Sequence, residues 1–456
     1  INGIGSNGGG SDAIEGGDSA RVTVTEVDNE LDLFVLDELN LTLQLKDDLK
    51  VLELEADQLA RDRSGDFQSV IIQGESLTDV TLIHNNDKAI TGDYDFSHVD
   101  NVSNNAEFEV FLRDKVNVIG SDGNNVFKIN DTLSTGSVID GGDGGAGLVF
   151  GESMSDPSSS EKATVDMSDV DLRGVELLFL EGGGTEVTFS GGQLSNQAIN
   201  LSSKNETDNE SQTVVVKVDG IAGDAVETDL SQISPLNFSN DEGEFAWSEK
   251  DQFEIRGGQS DDTIIGPDFS STIRGGAGLD TMTGGKGADT FVINEGESGS
   301  AKIVDSSLTD SGSSQEETID FDAPLESITD FTFGEDVLEL TSEDIDESVR
   351  VLSSLEDFAN ADMRDEADGG VAIAFGRYEQ SEDGTSSFTY NTAGDLFENA
   401  EFSSSSALDV IIFADDESLV GDDSSGPEDD TASWFVLTGP TNVAGDGLGI
   451  VDDPVS

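Results

Sequence analysis

Residues 257–292 repeat with a period of nine, and this repeat restricts the possible folds more than any other stretch of the chain. The first copy reads Gly257-Gly258-Gln259-Ser260-Asp261-Asp262-Thr263-Ile264-Ile265. The second runs from Gly266 to Arg274, the third from Gly275 to Thr283 and the fourth from Gly284 to Val292. The shared pattern is Gly-Gly-x-Gly-x-Asp-x-apolar-x. Glycine permits tight turns and positive φ angles that a Cβ would block. Such a turn aims backbone carbonyls and the sixth-position carboxylate at one point, and a hard cation prefers oxygen ligands. The last three residues of each copy form a short strand with one inward apolar side chain.

The apolar position tests the register. Stepping by nine from Ile255 meets Ile264, Ile273, Met282 and Phe291, all apolar. Two turns make one circuit of a roll, so Asp262 is expected to stack on Asp280, and Ser271 on Asp289. The second turn, Gly266-Pro267-Asp268-Phe269-Ser270-Ser271, has lost most of its glycines and carries Ser at the ligand position. It keeps the coil through Ile273, and Asp268 substitutes as a ligand only in a distorted turn.

The nonapeptide is that of Ca²⁺-binding parallel β-rolls, and the stretch resembles the calcium-binding repeats of the RTX (repeats-in-toxin) family. That family comprises secreted bacterial proteins, usually exported by type I systems. A downstream segment, Ile328-Thr329-Asp330-Phe331-Thr332-Phe333-Gly334-Glu335-Asp336-Val337-Leu338-Glu339-Leu340, resembles the trailer that commonly follows such repeats. The candidate Ca²⁺ ligands are Gly258, Ser260, Asp262, Gly276, Gly278, Asp280, Gly285, Gly287 and Asp289, with Asp268 at the degenerate turn. The resemblance implies a secreted, cell-surface location and an uncleaved C-terminal export signal, with which residues 447–456 are compatible. Position 1 is Ile, which is expected of a processed N-terminus or of a piece of a longer chain.

The charge points to the same ion. The 456 residues include 97 acidic and 21 basic ones, a net charge of −76. Self-repulsion on that scale opposes the compact state, so counter-ions belong to the folded protein. Solvation of a halophile or marine surface is the competing reading, in which generic salt replaces Ca²⁺. Nucleic acid is excluded as a partner, because its phosphates need Lys and Arg to neutralise them. There is no cysteine, so metal ions take the place of disulfides as staples. No apolar run is long enough to span a membrane as a helix.

The remaining chain reads as all-β: a parallel β-helix or β-roll solenoid with Ca²⁺-binding turns and a strand-rich C-terminal unit. Residues 1–115 form a β-rich N-terminal solenoid or sandwich, 116–250 a β-helical region with Gly/Asp turns, 251–300 the Ca²⁺-binding roll, and 301–456 a capping or assembly domain. Strand-like alternation recurs through residues 21–115, as in Leu41-Thr42-Leu43-Gln44-Leu45. Residues 55–63 read as one or two helical turns. Weaker copies of the turn place Asp12 in a ligand position, then Asp122 and Asn125, then Asp140 and Asp143, where Ala146 stands at the Asp position. Phrases such as Val175-Glu176-Leu177-Leu178-Phe179-Leu180 resemble, more loosely, the β-helical regions of bacterial surface-layer proteins. Residues 342–355 have helical periodicity, with Ile345, Val349 and Leu352 on one face.

Signatures of enzymes are missing. There is no His-Glu-x-x-His motif, no Gly-x-Ser-x-Gly elbow and no phosphate loop. The two histidines, His84 and His98, read as surface or turn residues. The expected protein is therefore non-catalytic: a secreted, Ca²⁺-stabilised subunit of a surface layer or filament. Its partner is a copy of itself in a lattice or filament, with cell-surface polysaccharide as a further candidate. The alternatives are a segment of an RTX adhesin and a polysaccharide-acting exoenzyme built on a β-helix.

Overall fold

The computed structural model describes residues 89–102, 107–151, 163–182, 184–204, 211–218, 225–236, 238–240, 243–294, 316–341, 371–391, 409–414 and 433–442. It also describes Ala56 and the separate strands 12–15, 21–24, 31–37, 40–45, 51–55, 69–73, 79–83, 303–306 and 350–352. The chain divides into two compact units. The first holds residues 1–193, 198–215 and 233–252; the second holds 194–197, 216–232 and 253–456. Among the described residues of both, the regular elements are almost all β-strands.

In the first unit, Glu107–Ile119, Asn125–Ile129, Ala146–Phe150, Val175–Glu181 and Asn200–Lys204 pair successively, all parallel. The register sets apolar side chains above one another. Val110 faces Phe127, then Leu148, Leu178 and Leu201, and all five are buried. Alternate residues of Asn125–Ile129 are buried, as a pleat with one covered face requires. A further set, Asn40–Leu45, Ser69–Gln73 and Val99–Val102, also pairs parallel. Leu31–Asp37, by contrast, pairs antiparallel with Asn40–Leu45, so the described strands of residues 21–115 combine parallel and antiparallel pairing.

In the second unit the nonapeptide strands form two parallel ladders. One joins Glu227–Asp229, Thr263–Ile265, Thr281–Thr283 and Glu326–Ile328. The other joins Gln252–Arg256, Thr272–Arg274, Thr290–Asn294 and Val337–Thr341. Odd and even copies thus alternate between ladders. Ile264 pairs with Met282 and then Ile328; Ile255 pairs with Ile273, Phe291 and Leu338. These seven side chains are buried. An antiparallel group of Glu316–Phe321, Val371–Gln380, Ser386–Asn391, Asp409–Ala414 and Ser433–Leu437 completes the unit.

Phe291→Ala empties the centre of one column and is expected to cost about 3–5 kcal/mol. Thr283→Ala, on a partly exposed position whose hydroxyl is hydrogen-bonded to that of Thr329 at 2.8 Å, is expected to cost only about 0.5–1.5 kcal/mol. Urea unfolding in saturating Ca²⁺ measures both.

Two local expectations change. Arg350–Leu352 is a strand pairing antiparallel with Leu338–Leu340, not the end of a helix; residues 342–349 lie outside the described residues. The backbone groups along Val337–Thr341 give this segment hydrogen-bond partners, and β-branched Val351 suits a pleat. Asp12 sits in a strand, Asp12–Glu15, paired antiparallel with Arg21–Val24, rather than in a parallel stacked turn. The five-residue connection is short enough for a hairpin, whereas a parallel return needs a dozen or more residues. Residues 57–63 and His84 lie outside the described residues.

Candidate calcium-binding turns

The turns lie where successive strands cross from one ladder to the other. Their spacing leaves no room for side chains at the glycines. A Cβ on Gly276 would stand 2.4 Å from the Gly258 carbonyl oxygen, and one on Gly278 would stand 2.6 Å from the Ser260 carbonyl oxygen. Both glycines also hold positive φ, 91° and 136°. Turn 275–280 is thus pressed against the carbonyls of turn 257–262.

The two sixth-position aspartates sit in register between these turns. The Asp262 amide donates to Asp280 Oδ1 at 2.7 Å across 18 residues, and the Thr281 amide donates to the Asp262 carbonyl at 2.8 Å. Asp262 Oδ2 accepts from the Gly258 amide at 3.1 Å and Oδ1 from the Val226 amide at 3.2 Å. Asp280 is fully buried and Asp262 nearly so. The Ser260 hydroxyl is buried beside them without a hydrogen-bond partner. Burying an ionised carboxylate is costly unless it is paired or coordinates a metal. The donor set is all oxygen: carbonyls of Gly258 and Ser260, the Ser260 hydroxyl and the two carboxylates. That set fits a hard divalent cation such as Ca²⁺.

The even-numbered turns are built alike with one carboxylate fewer. The Ser271 amide and hydroxyl donate to Asp289 Oδ1 at 2.8 and 2.9 Å. Burial pushes the Asp289 carboxyl up to about 7, against the hydrogen bonds from Ser271. Asp268 is an ion-pair partner of Lys286, 18 residues on, so its carboxylate is turned to a cationic side chain.

The structure adds two residues that the repeat alone did not mark. The Asp289 amide donates to Asp336 Oδ1 at 2.9 Å, and the Val337 amide donates to the Asp289 carbonyl at 2.8 Å. These repeat the bonds between Asp262 and Asp280, so Asp336 takes the sixth position of a further stacked turn. Gly334, two residues before it, has φ 84°, as the fourth-position glycines do. Burial raises the Asp336 carboxyl to about 6. Asp330 accepts from the Gly284 and Gly285 amides, both at 2.8 Å, and so caps the fourth copy. The signal for Asp336 was present in the trailer, where the Gly334-Glu335-Asp336 spacing equals that of positions four to six, whereas Asp330 is marked only by its hydrogen bonds. Asp330→Ala leaves two amides without an acceptor and is expected to cost about 1–3 kcal/mol, with faster hydrogen exchange at Gly284 and Gly285 as the local readout.

The other predicted site residues are arranged differently. Asn125 is 2% exposed, and its side-chain amide lies among carbonyls of its own turn and of turn 141–146. Asp140 Oδ1 accepts from the Gly142 amide at 3.0 Å, while Asp122 and Asp143 are exposed. His98 lies in a turn but is 1% exposed, so it is a buried residue rather than a surface one. Among the described residues no three His, Asp or Glu side chains converge as a metal group. Ion binding by these turns therefore rests mainly on carbonyl oxygens, with one or two carboxylates.

The RTX calcium-binding nonapeptide repeat family matches residues 255–291, in four copies. The chain therefore carries a region of RTX repeats, and Ca²⁺ is the ion these repeats bind. No curated protein and no solved structure matches the chain.

Proposed function

We propose that this protein is a secreted, Ca²⁺-stabilised structural subunit of the bacterial cell surface, a parallel β-helix and β-roll solenoid that assembles into a layer or filament once Ca²⁺ orders its turns. The observation that carries this reading is the pair of buried, stacked carboxylates Asp262 and Asp280 in a chain of net charge −76. A cation between turns removes the cost of the buried charge. The same ions, bound on the acidic surface, let like-charged copies approach. RTX repeats are broadly associated with secreted proteins, and extracellular Ca²⁺ modules bind at roughly 10⁻⁴–10⁻³ M. The nonapeptide turns of such a chain are loose where Ca²⁺ is scarce and become ordered where it is plentiful. We read it as non-catalytic, since no motif supplies a nucleophile or a metal-activated water.

Electron microscopy of the purified protein with Ca²⁺ and with EGTA tests this. Ordered arrays or fibres are expected with Ca²⁺, and dispersed particles with EGTA. Monomers at high concentration in Ca²⁺ overturn the subunit reading in favour of an adhesin segment. Cleavage of alginate- or pectin-like polymers would overturn the non-catalytic one.

A further inference from the structure

We propose that the side-chain amide of Asn125 occupies, between turns 120–125 and 141–146, the place that a cation takes between carboxylate-bearing turns, so that this pair of turns closes without an ion. Asn125 Nδ2 lies within hydrogen-bond distance of four carbonyl oxygens: Ser121 at 3.0 Å, Gly123 at 2.8 Å, Gly141 at 2.8 Å and Gly145 at 2.9 Å. An amide nitrogen carries two protons. Four oxygens converging on one donor is the geometry of cation coordination rather than of ordinary amide pairing. The group is buried, so water does not share the work.

The amide's orientation follows from chemistry. Asn125 Oδ1 accepts from the Ser121 amide at 2.7 Å and from the Ser121 hydroxyl at 2.9 Å. Turning the group over would set Oδ1 against four carbonyls and Nδ2 against an N–H. The second turn brings no charge to the cage. Its residue in register with Asn125 is Ala146, and the Asp140 carboxylate is turned to the Gly142 amide. Neutral carbonyls around a neutral amide give a dehydrated Ca²⁺ no compensating charge. The two turns are also in close contact: a Cβ on Gly144 would stand 2.0 Å from the Gly123 carbonyl oxygen.

Asn125→Asp replaces the donor with a carboxylate oxygen facing the same carbonyls, a repulsive arrangement that a cation relieves. The wild-type turn is thus one substitution away from an ion site, and the assembly reading plays no part in this. Hydrogen exchange on the full chain, with Ca²⁺ and with EGTA, reads the peptide covering 118–130 beside the one covering 257–292. In the wild type, chelation is expected to leave 118–130 unchanged while 257–292 exchanges at least about tenfold faster. Asn125→Asp is expected to lose protection at 118–130 in EGTA, to regain it in Ca²⁺, and to bind one more Ca²⁺ per chain by equilibrium dialysis. Loss of protection at 118–130 in the chelated wild type overturns the proposal, even if the variant fails to fold. So does an Asn125→Asp chain that exchanges like the wild type in EGTA.

Discussion

Asp280→Ala is expected to abolish most of the Ca²⁺-dependent stability of the nonapeptide region, whereas Asp268→Ala leaves it nearly intact. Both residues belong to the same repeat array and both are acidic. They differ in what surrounds them. Asp280 is fully buried, accepts the Asp262 amide and lies beside the unpartnered Ser260 hydroxyl. Asp268 is exposed and pairs with Lys286, and exposed ion pairs contribute about 0–1 kcal/mol. An ion present at 100-fold excess over its Kd adds about 2.7 kcal/mol to folding. Removing Asp280 takes away that ion and leaves the Asp262 amide without its acceptor, a further cost of about 1–3 kcal/mol. The measurement is the urea midpoint in Ca²⁺ minus that in EGTA. Wild type and Asp268→Ala should show the same gap, and Asp280→Ala a small one. Mg²⁺ should not restore it, because Mg²⁺ demands a near-ideal octahedron and gives up its water reluctantly. Equal gaps for the two variants would refute the assignment of the stacked carboxylates as ligands.

Without Ca²⁺, stability is expected to fall as pH rises from about 5 to about 8, and with Ca²⁺ this loss should disappear. The cause is the pair of buried carboxyls in the even-numbered stack. Burial raises Asp289 to about 7 and Asp336 to about 6, against about 3.9 in an unfolded chain. A carboxyl whose folded value lies above its unfolded value holds its proton more tightly when folded. Its stabilising contribution is therefore complete below about 4 and is lost as pH rises through 6 and 7. For Asp289 the difference is on the order of 4 kcal/mol. Ca²⁺ requires the ionised form, so its binding releases those protons and strengthens with pH. Asp289→Asn should remove the larger part of the slope in EGTA, since the amide does not ionise, and leave the smaller part due to Asp336. A wild-type profile in EGTA that stays flat from pH 5 to 8 would show that these groups are not buried in the metal-free protein.

The parts of this architecture that follow from local repetition were legible in the residues alone. A period of nine with an apolar eighth position left one way to wind the chain, so Ile264 on Met282 and Asp262 beside Asp280 could be read before any coordinates. The reason is mechanical: identical backbone turns stacked in parallel carry their side chains into register. Asp336 and Asp330 were harder to assign. A segment of ordinary chain separates them from the last repeat, and only the hydrogen bonds from Asp289, Gly284 and Gly285 show that the trailer resumes the stack. Arg350–Leu352 failed for the opposite reason: its periodicity is helical, but a neighbouring strand supplied pairing partners that local sequence does not contain.

Composition and period by themselves determined an acidic, all-β chain with a Ca²⁺-binding repeat at residues 257–292. Which turns can do without an ion was decided only in three dimensions. Asn125 and Asp262 hold equivalent places in their repeats and differ by an amide for a carboxylate. Their roles part because Asp262 meets Asp280 across 18 residues, while Asn125 meets Ala146 and turns its own amide toward the carbonyls of both turns.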